Sequence, residues 1–500
     1  MTHLRCALAA LTILVAPAMV APALARPGVD DLAQRLAQGA PATTPAGQLT
    51  ALEKYIRADD GAFSWSLAKT MRIEGKYPGE WHSLRMTSQV WRSAGEVSVP
   101  KWTHWVNVWV PDALVGDKPI LFIGGGSRKE EVPSGPPKEL EMFAPIGAVV
   151  IAVDNIPNQP MKLGTDPEDR DEDGFVARTW ARAMETGDAT WLVRFAMVKS
   201  AVKAMDAFEA FAKEHPFAHA SMGGKKLDAA FKPGKYLVAG GSKRGWTTWL
   251  TGAVDERVGA IVPLVIDVLD VPAQMKHHHD AYGFWAPALN DYVETGMTDR
   301  FDHLASDAAM QAVLAHEDPI NWLSRVGSKP KMLINASGDE FFVPDSSQQY
   351  VDRLPAPWRL RYIPNSGHSL KGTSAALDLG AFYLLWASGS KLPELTWRAD
   401  PITGGKPMGM RVHVSDRPDR VRLWSVTTKG PRDFRVGETG KTWTSTDIEP
   451  ESEAGLDYAA TLQPDEKAFR AGFVEVIFAA AKPGLPSPTF TTSVYVLPPR

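Results

Sequence analysis

At 500 residues the chain has material for about three structural units. Its 44% apolar and 22% charged residues are globular proportions, which exclude wholesale disorder and a collagen-like fibre. The 54 basic and 58 acidic residues give a net charge of −4 and no electrostatic footprint for nucleic acid, and a single cysteine excludes a disulfide framework and a Cys-based zinc site.

The first 25 residues read as an export signal. Arg5 supplies a positive start, Cys6–Ala21 carries no charge, and Ala23-Leu24-Ala25 offers the small residues that a signal peptidase reads. The run is broken by Pro17 and Pro22 and is shorter than a spanning helix requires. An exported protein without a membrane span is expected, periplasmic or secreted after cleavage behind Ala25, and Cys6 leaves with the signal.

Residues 26–74 read as a helical arm, with apolar residues at helical spacing in Asp30–Ala37 and Leu49–Ile56. Strands follow: Leu84, Met86 and Val90 share one parity of Trp81–Arg92, and Val106, Val108 and Val110 alternate in Thr103–Val110. From there the apolar runs are short and continuous. Ile120–Ile123 leads into Gly124-Gly125-Gly126, Ala148–Val153 into Asp154, Tyr236–Ala239 into Gly240-Gly241-Ser242, and Ala260–Ile266 into Asp267. Met332–Ala336 leads into Ser337-Gly338-Asp339, and Leu360–Ile363 towards His368. Strands apolar on both faces predict a mostly parallel sheet covered by helices. One such helix is expected after Asp188, with Trp191, Phe195, Val198, Val202 and Met205 on one face.

The aromatic-rich stretch of about 267–330 is too long for a simple βα connection and predicts a helical cap inserted into an α/β domain spanning 75–392. Helix Ala375–Trp386 closes that domain. From 393 to 500 only short strands are predicted, among them Arg411–Val414, Val421–Val426, Phe473–Phe478 and Thr491–Leu497, which suggests an all-β sandwich.

The chemistry centres on Gly240-Gly241-Ser242-Lys243-Arg244-Gly245, between a strand and a helical run. A serine there sits on a tight turn with its hydroxyl above the carboxyl edge of the sheet. The usual pattern places glycine two residues after the serine, where this chain has Arg244. A serine needs a base, and the base an orienting carboxylate. Asp339 and His368 each follow a later strand, and the chain order Ser, Asp, His is that of an α/β-hydrolase. Glu340, adjoining Asp339, and Asp267, at another strand end, are the rival carboxylates. Ser127 and Ser366 lack the strand–serine–helix setting.

The oxyanion hole is expected from the Lys243 amide with Gly125 and Gly126. Arg244, Trp246 and Trp285 are candidate substrate contacts, and Lys243 with Arg244 either offers positive charge to an anionic group or is paired internally. Asp169, Asp171, Asp173 and Gly174 open like a calcium loop, but the twelfth position is Trp180, so a solvated acidic loop is the better account. Adjacent helix residues point about 100° apart, so His277-His278-His279 reads as cap structure or pocket lining. No metal or cofactor is expected.

Gly241–Leu250, Pro157–Pro160, Ala281–Trp285 and Arg432–Arg435 resemble the PhoPQ-activated pathogenicity-related protein family over nearly the whole mature chain. The resemblance implies an exported α/β-hydrolase-like protein with a C-terminal β domain, and it supplies no substrate. The serine turn is also similar to that of glucuronoyl esterases, where a basic residue follows the nucleophile. The Gly338-Asp339 and Val343-Pro344 stretch resembles prolyl-oligopeptidase-like hydrolases. An esterase acting on a small-molecule or glycan ester is therefore expected first, a peptidase second, and a non-catalytic binding or signalling protein on the same scaffold third. The sequence does not set the oligomeric state.

Overall fold

The computed structural model describes residues 27–500 apart from 46, 138, 139, 141, 142 and 228, so the expected signal segment 1–25 lies outside the described residues. The architecture is α/β. Among the described residues its central sheet has 14 strands, and its middle is parallel: Val150–Val153, Ile120–Ile123, Tyr236–Gly241, Val258–Leu264, Lys331–Ala336 and Trp358–Ile363 lie side by side in that order. Lys101–Pro111 joins antiparallel at Val150–Val153, followed outward by Gly79–Val90 and Ser64–Ile73. Ile120–Ile123 stands between two strands that follow it in sequence, so the strand order reverses beside Tyr236–Gly241. Sites in open α/β sheets form at such a reversal, above the strand carboxyl ends.

The short apolar runs are strands because both faces are covered. Leu121, Ile123, Val238 and Ile261 belong to the core shared with Phe195 and Val198 of helix Val193–Glu214. Their neighbours Ile120, Leu237, Ala239 and Val262 face the opposite core, with Leu379 and Phe382 of helix Ala375–Ala387. Asp188 caps a short 3-10 turn, Ala189–Trp191, and the long helix starts only at Val193.

Two expectations are revised. The arm contains helices Pro27–Ala37 and Ala51–Arg57, but Ser64–Ile73 is a strand. Trp65, Leu67, Met71 and Ile73 fall on one parity, a period-two signal that the helical reading overran. The C-terminal strands do form, but not as a separate sandwich. Thr489–Thr491 pairs antiparallel with Trp358–Ile363, so Arg470–Ile477, Arg420–Thr427 and Thr444–Asp447 continue the central sheet. A second sheet of Leu395–Ala399, Met408–Val414 and Asp457–Leu462 packs Met410, Val412 and Leu462 into the same core as Val474 and Val476. Pairing removes the exposed edge that Trp358–Ile363 would otherwise present.

Between Val258–Leu264 and Lys331–Ala336 the chain is helical, including Val271–Tyr282, Asn290–Glu294 and Ala308–Glu317. Among the described residues no helix is long and apolar enough to cross a membrane.

Candidate active site

Ser242 ends the strand Tyr236–Gly241 and precedes helix Lys243–Val254, with φ 57° and ψ −128°. That is a strained conformation for a residue with a side chain. It is held from both sides: the Ser242 amide donates to Leu264 O at 2.8 Å, and Trp246 N donates to Ser242 O at 3.0 Å. The unusual Arg244 fits because glycine sits opposite. A Cβ on Gly240 would stand 2.8 Å from Arg244 O and 3.0 Å from its Cβ, and one on Gly245 would stand 2.8 Å from Gly240 O. Close strand–helix contact is thus kept by glycines two before and three after the serine.

His368 Nε2 lies 2.8 Å from Ser242 Oγ, and its Nδ1 lies 2.9 Å from both carboxylate oxygens of Asp339. With Nδ1 protonated to meet the carboxylate, Nε2 is the acceptor facing the serine hydroxyl. The strands before Asp339 and His368 are parallel neighbours, with Ala336 opposite Ile363, so their loops leave the sheet side by side. Gly338 N donates to Ser366 O at 2.9 Å and ties the loops together. Asp339 Oδ1 accepts from the amides of Phe341 (2.8 Å) and Phe342 (3.3 Å), and the Phe341 ring lies 4.4 Å from the imidazole. Burial pushes the His368 pKa down, but the charge and hydrogen bond of Asp339 outweigh it, leaving it raised.

The rival carboxylates are engaged elsewhere. Glu340 Oε2 accepts from the His368 backbone amide at 2.6 Å, not from the ring. Asp267 is fully buried and accepts from the hydroxyls of Tyr350 and Tyr362. Burial pushes its pKa up to about 7 against those two donors, with the charges of Asp339 and Asp345 adding to the rise.

The basic residues beside the serine are buried and paired, which the sequence left open. Lys243 Nζ lies 2.7 Å from Glu172 and 3.0 Å from Asp173, and Arg244 meets both oxygens of Glu172 at 2.7 and 2.6 Å. Burial pushes Glu172 up, but Arg244 and Lys243 hold it at about 2. The Arg244 charge is therefore spent inside the protein, and Arg244 is absent from the lining of the serine's cavity. Asp173, the third acid of the supposed calcium loop, meets Lys243 and also accepts from Tyr292 OH at 3.1 Å. Glu172 and Asp173 are thus site residues that the sequence reading took for a solvated run; only their distance to Lys243 and Arg244 in space reveals them.

The triglycine loop sits differently from expectation. What faces Gly125 is the Arg244 guanidinium, 2.7 Å from where a Cβ would stand. Gly125 and Gly126 line a cavity with Arg85, Trp105 and Asp154 that shares no lining residue with the cavity at Ser242. Lys243, whose amide opens the helix after the serine, does line the serine's cavity, and Arg194 Nη1 holds its carbonyl at 3.0 Å.

The cavity at Ser242 is about 60 Å³ and mainly apolar. It is lined by Trp180 and Trp246, by Met275, Leu289, Tyr292 and Phe301 from the helical segment between Val258–Leu264 and Lys331–Ala336, and by Phe341 and Phe342. Trp285 is not among them. It stacks on His278 at 5.7 Å and lines a separate cavity with His279, which shares Met275 and Phe301 with the first. The three imidazoles diverge as helical geometry requires: His277 meets Asp345 at 3.0 Å, His278 accepts from Ala286 N at 3.1 Å, and His279 lies 5.0 Å from the Trp285 ring. Among the described residues no group of three or more His, Cys, Asp or Glu is placed to hold a metal ion.

Parallel sheet, serine turn and the order Ser, Asp, His together define an α/β-hydrolase fold. Residues 52–435 match the PhoPQ-activated pathogenicity-related protein family, and the chain belongs to it. It is 32% identical over 475 residues to the autocrine proliferation repressor protein A of Dictyostelium discoideum, covering 90% of each chain. Among solved structures it is similar to acetyl xylan esterase 1 from a Thermoanaerobacterium species, with TM-score 0.41, 14% identity, and 72% of this chain and 93% of that one covered. A glucuronoyl esterase from Solibacter usitatus is similar at TM-score 0.36 and 13% identity, with 72% of this chain and 91% of that one covered.

Proposed function

We propose that the protein is an exported serine hydrolase that cleaves a carboxylic ester through an acyl-enzyme. The observation carrying this reading is the unbroken line of hydrogen-bond contacts from Ser242 Oγ through His368 to Asp339. Ser242 Oγ attacks the ester carbonyl carbon while its proton passes to His368 Nε2, and Asp339 stabilises the imidazolium. The Lys243 amide, at the positive end of helix Lys243–Val254, holds the oxyanion. Collapse breaks the carbon–alkoxy bond, and the alcohol leaves with the proton from His368. Water then gives a proton back to His368 as it attacks the acyl-enzyme; the acid departs and Ser242 recovers its proton. Gly125 and Gly126 line a different cavity and take no part in this step.

An ester is favoured over a peptide because the cavity is small and apolar, with no free charge to receive a chain end. The test is labelling by a fluorophosphonate. Wild type should be labelled and Ser242→Ala should not; labelling of both removes Ser242 from the mechanism. A second reading, a secreted signalling protein on a hydrolase scaffold, is favoured by the name of the Dictyostelium relative. It predicts that a biological effect of the wild type persists in Ser242→Ala.

A further inference from the structure

The serine's cavity contains a polar group with nothing to bind. Thr298 lines it, is 1% exposed, and its hydroxyl has no hydrogen-bond partner among the described residues. Thr298 immediately precedes the helical turn Asp299–Ser306, where a threonine side chain commonly caps the helix, yet here it makes no capping bond. A buried hydroxyl left unpaired is unfavourable, and it calls for an explanation at each site where it occurs. Of the cavity's other polar groups, the Trp180 indole N–H likewise has no hydrogen-bond partner among the described residues, while the charged ones are satisfied. Asp173 and Lys243 neutralise each other at 3.0 Å, and Tyr292 donates to Asp173.

We propose that Thr298 selects the acyl part of the substrate, which is short, uncharged and carries one hydrogen-bonding oxygen away from the ester. Such an acyl group enters past Ser242, lays its carbon chain on the aromatic walls and meets the Thr298 hydroxyl with its distal oxygen. The cavity is narrow and mainly apolar, which favours a short acyl chain. A charged acyl group is disfavoured because the one cation lining the cavity, Lys243, is already paired with two carboxylates.

This inference rests on the esterase reading, and the experiment separates the two. Four p-nitrophenyl esters are compared in two near-isosteric pairs, 3-hydroxybutyrate against 3-methylbutyrate and 4-oxopentanoate against 4-methylpentanoate. At least one oxygenated member should exceed its hydrocarbon partner in kcat/KM by about tenfold in wild type, and Thr298→Val should erase that preference while still turning over the hydrocarbon esters. The valine variant should fold, since the hydroxyl it removes has no bond to lose. The same four esters are titrated calorimetrically into Ser242→Ala, which reads binding without turnover. Oxygen preference in binding with no turnover by wild type would sink the esterase reading and keep the role of Thr298. Turnover without preference, a preference that survives Thr298→Val, or no binding of any ester would overturn the role of Thr298.

Discussion

Glu340 Oε2 accepts the backbone N–H of His368 at 2.6 Å, and Glu340 directly follows the acid that orients the same histidine's ring. One dipeptide therefore holds the base twice, by its ring and by its main chain. The fit is close: a Cβ on Gly367 would stand 2.6 Å from Glu340 Oε1. On the proposed mechanism Glu340 is a positioning residue. Glu340→Ala should lower kcat for ester hydrolysis by about 10- to 100-fold with little change in KM, because a small misplacement of the base costs on that order. Glu340→Gln keeps an acceptor oxygen and should recover most of the loss. Equal losses in both variants would point to charge, not positioning.

Asp339 raises the His368 pKa against the effect of burial, and only the neutral imidazole can take the serine proton. The acid limb of kcat/KM should therefore have its midpoint above the ordinary histidine value of about 6.5, with activity lost below it. Asp339→Asn should move that midpoint down and lower kcat on the order of 10³- to 10⁴-fold, since the amide no longer fixes the tautomer. A pH–rate profile of both proteins checks the shift, and an unmoved midpoint would contradict it.

Strain at Ser242 is measurable as stability. Its φ of 57° and ψ of −128° suit glycine better than any residue with a Cβ. Ser242→Gly should be more stable than Ser242→Ala by about 1 kcal/mol, the relief of strain exceeding the extra entropy of the unfolded glycine chain. Urea unfolding of the two variants measures the difference. A more stable alanine variant would mean that the turn stores no strain.

Asp267 titrates near pH 7 in the folded protein, against 3.8 without the fold. The folded state binds this proton more tightly, so the contribution to stability is complete below about pH 4 and is lost as pH rises through 7. Asp267→Asn removes that slope. Relative to the variant, wild type should lose up to a few kcal/mol of unfolding free energy between pH 4 and pH 8, read by urea titration at several pH values. The variant should still take a fluorophosphonate, because Asp267 bonds two tyrosines and not His368. Loss of labelling would restore Asp267 as the catalytic acid.

The parallel strands, the serine turn and the chain order of the three triad residues were legible because each depends on local composition. Strands covered on both faces must be continuously apolar, and the residues that leave them at the carboxyl end must be polar or glycine. Local pattern also misled. The alternating Trp65, Leu67, Met71 and Ile73 were absorbed into a helical arm, and the C-terminal strands gave no sign of which sheet they would join, since pairing across 131 residues, as between Leu360 and Thr491, leaves no periodic trace. What the sequence by itself determined was the set of candidate groups and the edge of the sheet on which they emerge. Only the tertiary structure decided which charges cancel, as Glu172 and Asp173 do for Arg244 and Lys243, and which hydroxyl is left without a partner, as at Thr298. Those outcomes depend on distances of a few ångströms between segments far apart in the chain, and spacing along the chain does not encode them.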